Sequence, residues 1–245
     1  MKKTGSILLL CIILVGIFTV LTNMMEKEET PNDESVKVHG GQEKKYEYTV
    51  IVDAGHGGID PGKVGINGVY EMDINLSIAF KLADVLEENK IRVIMTRKDN
   101  NGLYSDKDSN KKMADMNKRV ELVNKSQGDA LISIHQNSFT SESAHGAQVF
   151  YYKASTKSEM LAECIQKELL DMDKTNKRQK KSDADYYIVK KSNIPAVIVE
   201  CGFLSNEKEA QLLSDGSYQE KVAKAIAKGV MDYLNKKDSK VQLES

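Results

Sequence analysis

From Tyr48 onward, short apolar runs alternate with amphipathic stretches. Tyr48–Val52, Ile91–Met95, Ala130–Ile134, Ala147–Tyr152 and Ala196–Val199 are rich in Val and Ile, and several lack polar alternation, the pattern of strands buried on both faces. Between them, Ile74, Ile78, Leu82, Val85 and Leu86 keep a helical stripe behind Glu71, and Tyr218, Val222, Ile226, Val230 and Tyr233 keep another near the C-terminus. Met113–Ser126, Lys157–Leu170 and Asn206–Leu213 are further helix candidates, and Tyr186–Val189 could add one more short strand. Strand and helix in alternation predict a single α/β domain over residues 48–235, a mostly parallel twisted sheet flanked by helices, with a polar tail at 236–245.

The N-terminus follows a different pattern. Lys2 and Lys3 precede an apolar run from Ile7 to Leu21, a charged n-region and an h-region of export-signal type. The segment after Leu21, TNMMEKEE, lacks the small-x-small pattern of a cleavage site, so residues 1–25 read as an uncleaved membrane anchor in preference to a cleaved signal peptide. At about 1.5 Å per helical residue the stretch Thr4–Met25 is long enough to span a bilayer, with Lys2 and Lys3 on the cytoplasmic side. The folded part is therefore expected to be extracytoplasmic. Residues 26–47 are charged, contain Pro31 and the Gly40–Gly41 pair, and read as a flexible tether.

Composition narrows the function. With 35 Lys plus Arg against 36 Asp plus Glu, the 245-residue chain has a formal net charge of −1, which argues against nucleic acid as a partner. Three cysteines exclude a disulfide scaffold: Cys11 lies in the apolar segment without the small preceding residue of a lipidation signal, and only Cys164 and Cys201 could pair. Arg97–Lys112 reads as a solvated connector, and the basic run Lys174–Lys181 as a solvated loop, with contact to an anionic polymer as its second reading.

The chemically loaded positions cluster at strand ends. His56 stands three residues beyond Asp53 in VDAGHGGIDPG, His135 ends ALISIH, and Glu200 ends AVIVE. Polar side chains at the C-terminal ends of buried strands fall on the edge where open α/β sheets build their sites. Glu71 opens the next helix, where the helix dipole keeps a carboxylate ionised. Two imidazoles and one carboxylate suit a catalytic Zn2+ with a fourth position left for water, and the remaining carboxylate, Glu200, can act as general base. Taken singly, each residue has a plainer structural reading; taken together, the four point to a metal centre.

The stretches VDAGHGGIDPGKVGINGVYEMDINL, RVELVN, LISIHQNS, GAQVFYY and IPAVIVECGFLSNEKE resemble the zinc-dependent N-acetylmuramoyl-L-alanine amidases of the amidase-3 type, from Tyr48 to about Leu234. Within that family the single-domain layout and the IMTR and GAQVFYY segments look most like the germination-specific, sporulation-associated members. The resemblance implies that His56, Glu71 and His135 bind one Zn2+, that Glu200 is catalytic, and that the bond cut joins the lactyl group of N-acetylmuramic acid to L-alanine in peptidoglycan. It further implies a role in making the muramic δ-lactam of spore cortex for germination, with peptidoglycan as substrate and an accessory activator such as a lipoprotein as a partner.

Many amidases of this type carry a blocking helix between the second histidine and the catalytic glutamate. The interval from His135 to Glu200 here leaves no room for one, so an uncovered cleft is expected. Gln136 and Ser138 depart from the small residues common beside Asn137 in the family, Cys201 should face away from Glu200, His145 could line the substrate groove, and His39 is expected to be inert. Two other readings are a zinc peptidase cutting within the peptide stem and a non-catalytic wall-binding relative. Retention of all four site residues argues against the second.

Overall fold

The computed structural model describes residues 46–244; the expected anchor, nearly all of the expected tether, Cys11 and His39 lie outside the described residues. Among the described residues no helix is long and apolar enough to cross a membrane. Six strands form one sheet: β1 (Tyr48–Ala54), β2 (Ile91–Met95), β3 (Ala130–Asn137), β4 (Gln148–Tyr151), β5 (Lys181–Ser182) and β6 (Ala196–Phe203), in the order β2-β1-β3-β6-β4-β5. The helices are α1 (Glu71–Glu88), α2 (Lys111–Lys125), α3 (Thr156–Met172), α4 (Tyr187–Lys191), α5 (Glu207–Ser214) and α6 (Gly216–Glu244).

The sheet is mixed but mostly parallel. β2, β1, β3 and β6 run together, whereas β4 is antiparallel to β6. Successive side chains on a strand face opposite ways, and this alternation sorts the core into two layers. Val50, Val52, Ile132, Ile134, Val197 and Val199 pack with α1, α3 and α6, while Ile51, Leu131 and Ile198 pack with Val123 of α2 and Ile188 and Val189 of α4. β6 is buried along its whole length, as its continuous apolar run requires.

One expectation changes. Tyr186–Val189 is not a strand: Tyr187–Lys191 form one helical turn. An extended chain would turn Ile188 and Val189 to opposite sides, whereas the turn lets both sink into the same cluster. At the other end, the last helix runs on through residues 236–244, so the segment expected as a polar tail is helical.

Candidate active site

β1 ends at Ala54, and the chain leaves the sheet through Gly55, where an added Cβ would lie 2.3 Å from the His135 ring. Only glycine permits that approach. His56 follows at φ 63°, a left-handed conformation uncommon for a residue with a side chain and characteristic of functional loops. Its Nε2 lies 3.1 Å from Oε1 of Glu71, in the first turn of α1. Nδ1 of His135, near the end of β3, lies 3.1 Å from the same oxygen. The two imidazole rings meet edge to face at 4.9 Å. One ligand atom from each of the three residues falls within 4.8 Å of the others.

Each donor is braced from behind. Oδ2 of Asp60 lies 3.0 Å from Nδ1 of His56, which leaves Nε2 facing the cluster, and Asp60 is itself paired to Lys112 at 2.9 Å. Glu71 accepts backbone N–H groups from Lys63 at 2.9 Å and Gln136 at 3.1 Å. At Gly62 a Cβ would come 2.6 Å from Oε2 of Glu71, so the loop closes over the carboxylate only because that position is glycine. Two nitrogens and one carboxylate oxygen, converging and oriented, fit Zn2+ by number and type.

Glu200 sits beside this cluster, in register with His135 on the neighbouring strand and only 6% exposed. Its Oε1 accepts the Tyr186 hydroxyl at 3.2 Å, and its Oε2 is buried with no hydrogen-bond partner among the described residues. Burial raises the pKa of Glu200; His135 opposes the shift and the charge of Glu71 adds to it. Burial would also raise Glu71, yet its bonds to His135 and His56 hold it well below the carboxylate range. Burial disfavours a charged His56, but Glu71 and Asp60 outweigh it and raise that imidazole. The two glutamates are thus pushed in opposite directions by their surroundings: one suited to remain an anionic ligand, the other to exchange a proton.

Beneath the His56 loop lies a buried ionic network with no counterpart in the sequence reading. Arg119, 1% exposed, donates to Asp53 at 2.7 Å, Asp115 at 2.6 Å, and the carbonyls of Ala54 at 2.7 Å and His56 at 2.6 Å. Arg97 donates to the carbonyls of Ala54 at 2.8 Å, Gly55 at 3.0 Å and Met72 at 2.8 Å. Burial would raise Asp53, but Arg119 with the Ser133 and Thr96 hydroxyls lowers it to about 2. A signal was present in the chain: Asp115, Arg119 and Val123, the buried residues of α2, form a stripe at i, i+4, i+8, and charged residues in such a stripe need partners inside.

The remaining expectations divide. Cys201 packs in the apolar layer with Val197 and Val199, away from Glu200, and both Cys164 and Cys201 are free thiols. His145 does not reach the metal cluster; it lines a separate cavity with Asp173 and Tyr218. The connector after β2 is more than solvated loop, since Arg97 is buried under the His56 loop and the Tyr104 hydroxyl accepts from the Ile59 N–H at 2.8 Å. In the basic run, Lys174 pairs with Asp171, Lys180 with Glu159 and Glu163, and Arg178 stacks on Phe203. α3 packs into the core through Leu161, Ile165 and Leu169, and the site histidines keep side-chain exposures of 24% and 18%, as expected of an uncovered cleft.

A donor cluster at the carboxyl edge of a mostly parallel sheet, with a protonatable carboxylate at its side, is the arrangement of an open-sheet metallohydrolase. Comparison with known proteins narrows this class. The chain belongs to the amidase-3 family, N-acetylmuramoyl-L-alanine amidases, whose family model matches residues 50–232. It is 38% identical over 191 residues to the germination-specific N-acetylmuramoyl-L-alanine amidase of Bacillus subtilis, covering 77% of this chain and 80% of that one. Among solved structures, it is similar to the CwlD amidase of Clostridioides difficile in complex with the GerS lipoprotein, at 44% identity and TM-score 0.75 over 77% of this chain and 98% of that one. The catalytic domain of CwlV from Bacillus (Paenibacillus) polymyxa var. colistinus superposes with TM-score 0.67 at 30% identity, over 77% and 98% of the two chains. The chain is accordingly a peptidoglycan amidase, and His56, Glu71 and His135 form its candidate metal site.

Proposed function

We propose that His56, Glu71 and His135 hold one Zn2+ and that Glu200 is the general base and acid of the amide hydrolysis. The observation that carries this is the contrast between the two glutamates: Glu71 has both oxygens engaged, Oε1 by the two histidines and the Gln136 N–H and Oε2 by the Lys63 N–H, whereas Glu200 keeps Oε2 unpaired among the described residues. Held by His56, Glu71 and His135, Zn2+ would supply a Lewis acid for the lactyl carbonyl and for water. Glu200 takes the proton from the attacking water and delivers it to the alanine nitrogen as the C–N bond breaks. Tyr186 holds Oε1 and leaves Oε2 for the proton. Asp60 fixes the His56 ring by its bond to Nδ1.

The setting we propose is maturation of spore cortex, in which peptide removal prepares muramic acid for δ-lactam formation. Likeness to the germination-specific amidase supports it. In the proposed layout residues 1–25 anchor or export the chain, 26–47 tether it, and 48–235 form the extracytoplasmic catalytic domain. A lipoprotein activator is proposed by analogy with the complex of the similar Clostridioides difficile amidase.

Metal analysis beside the rate on muropeptides tests the site. Glu71→Ala should lose zinc and activity together, because an anionic ligand is gone. Glu200→Gln should retain zinc while turnover falls by about 10² to 10⁴. Zinc loss in Glu200→Gln as complete as in His56→Ala would put Glu200 among the ligands and remove the base from the proposal.

A further inference from the structure

A second cleft adjoins the metal cluster, and its walls differ from those of the first. The cavity that contains the cluster is about 540 Å³ and includes Glu200, Lys63, Asn137 and Ser138. The neighbouring cleft, also about 540 Å³, shares His56, Asp60, Lys112, His135 and Tyr186 with it but is otherwise lined by Ile59, Tyr104, Met113 and Tyr187, and Glu200 is not part of its wall. Ile59 and Met113 are 53% and 49% exposed, large apolar side chains open to solvent at the rim.

We infer that the apolar cleft is the glycan subsite, and that the stem peptide leaves the metal cluster through the polar cavity past Lys63 and Asn137. The inference rests on the proposal that Glu200 protonates the leaving amine. Hydrolysis breaks the C–N bond, with water oxygen going to the lactyl carbonyl carbon and a proton to the alanine nitrogen. The nitrogen must lie within reach of Glu200, and the stem peptide continues from that nitrogen. The peptide therefore runs on the Glu200 side, and the muramic acid, attached to the carbonyl, runs on the other.

An unpaired cation supports the same direction. The stem peptide carries free carboxylates, whereas the glycan, with its lactyl group in amide linkage, carries none. The Lys112–Asp60 pair lines both clefts, and in the apolar cleft the one further cation, Arg119, is held by Asp53 and Asp115. Among the described residues this leaves the apolar cleft no unpaired cation for an anionic chain. The polar cavity has Glu71 and Glu200 in its wall, but Glu71 is held by the two histidines, and Lys63 is exposed and makes no ion pair among the described residues. Sugar rings present apolar faces edged by hydroxyls, which matches aromatic and methionine walls with a polar rim at Asn110.

The test compares the full-length, zinc-loaded chain with Met113→Ala, Tyr187→Ala and Lys63→Met, using muropeptides that vary in one part at a time. Met113 is exposed on a helix, so its truncation leaves the fold intact. Met113→Ala and Tyr187→Ala should abolish the gain in kcat/KM from a disaccharide to a tetrasaccharide substrate, a loss of about ten-fold, and weaken inhibition by peptide-free glycan. Neither should alter the preference for a free over an amidated glutamate carboxylate in the stem. Lys63→Met should reduce that preference about two- to five-fold, the scale of an exposed ion pair, and leave glycan-length dependence unchanged. The reverse pattern, or no separation of the two effects, overturns the assignment. Retained turnover in Glu200→Gln would instead mark failure of the underlying base assignment, which is read before any subsite variant is compared.

Discussion

Replacing Arg119 by Met should destabilise the domain and loosen its metal site at once. Asp53 is lowered from 3.8 to about 2, with Arg119 the foremost of the groups that overcome its burial. A difference of nearly two pKa units corresponds to about 2 kcal/mol of preference for the ionised form, shared among Arg119, Ser133 and Thr96. Without the guanidinium, Asp53 stays buried with two hydroxyl donors, and the His56 carbonyl loses its donor, while the Ala54 carbonyl keeps Arg97. A half-buried carbonyl left without its donor adds about 1–3 kcal/mol at most. The sum falls in the range of about 3–5 kcal/mol expected when one member of a buried ion pair is removed. That is a large share of the 5–15 kcal/mol typical of a domain, so Arg119→Met should still fold but at a markedly lower urea midpoint. Because the carbonyl released belongs to a candidate zinc ligand, zinc affinity should fall by about ten-fold or more. Urea unfolding with and without Zn2+, together with competitive zinc titration, measures both, and Lys118→Met on the exposed side of α2 is the control. A loss under about 1 kcal/mol with zinc affinity unchanged would refute the claim that this network supports the His56 loop.

Acid stability should follow Asp53. Its folded pKa of about 2 lies below the ordinary 3.8, so its stabilisation is complete above about pH 4 and drains as pH falls toward 2. In metal-free protein, Asp53→Asn should flatten that part of the stability–pH curve, and an unaltered curve would contradict the assignment. Tyr186→Phe removes the one hydroxyl that holds Oε1 of Glu200, and turnover should fall about ten-fold with zinc content unchanged, the scale of a hydrogen bond to a charged group. In a Glu200→Gln background the same change should have little further effect, since Tyr186 acts through Glu200. Full-length protein should fractionate with membranes and lose that behaviour when residues 1–25 are deleted; recovery of a soluble form beginning near residue 25 would identify a cleaved signal instead.

Most of the architecture was legible because the runs that make it are long and unambiguous. Ile91–Met95 matches its expected strand end to end, and β6 was seen as far as Val199 before its last polar and small residues broke the apolar run. What failed was short or depended on partners distant in sequence. Four residues at Tyr186–Val189 carry no period that separates strand from helix, and only the common cluster receiving Ile188 and Val189 decides it. The sense of β4 depends on pairing with β6, which no local pattern encodes. His56, Glu71, His135 and Glu200 were legible as residue types at element ends, but Arg119 meets Asp53 across 66 positions, a separation that conceals the pairing.

The position of that network has a structural reason. Glu71, His135 and Glu200 stand on regular elements, where hydrogen-bonded backbone and packed neighbours already fix the side chains. His135 and Glu200 even inherit their direction from strand alternation: residues 131, 133 and 135 share one face, as do 196, 198 and 200, and the opposite face carries Val197, Val199 and Cys201 into the apolar layer. His56 has no such support. It lies beyond the end of β1 at a positive φ, between glycines, where the chain by itself would be the least constrained part of the site. The two buried arginines act on that stretch, binding the carbonyls of Ala54, Gly55 and His56 in succession. A donor cluster is only as well placed as its least supported member, so the ionic network belongs under His56, and charges there are retained in a core that could otherwise have been apolar.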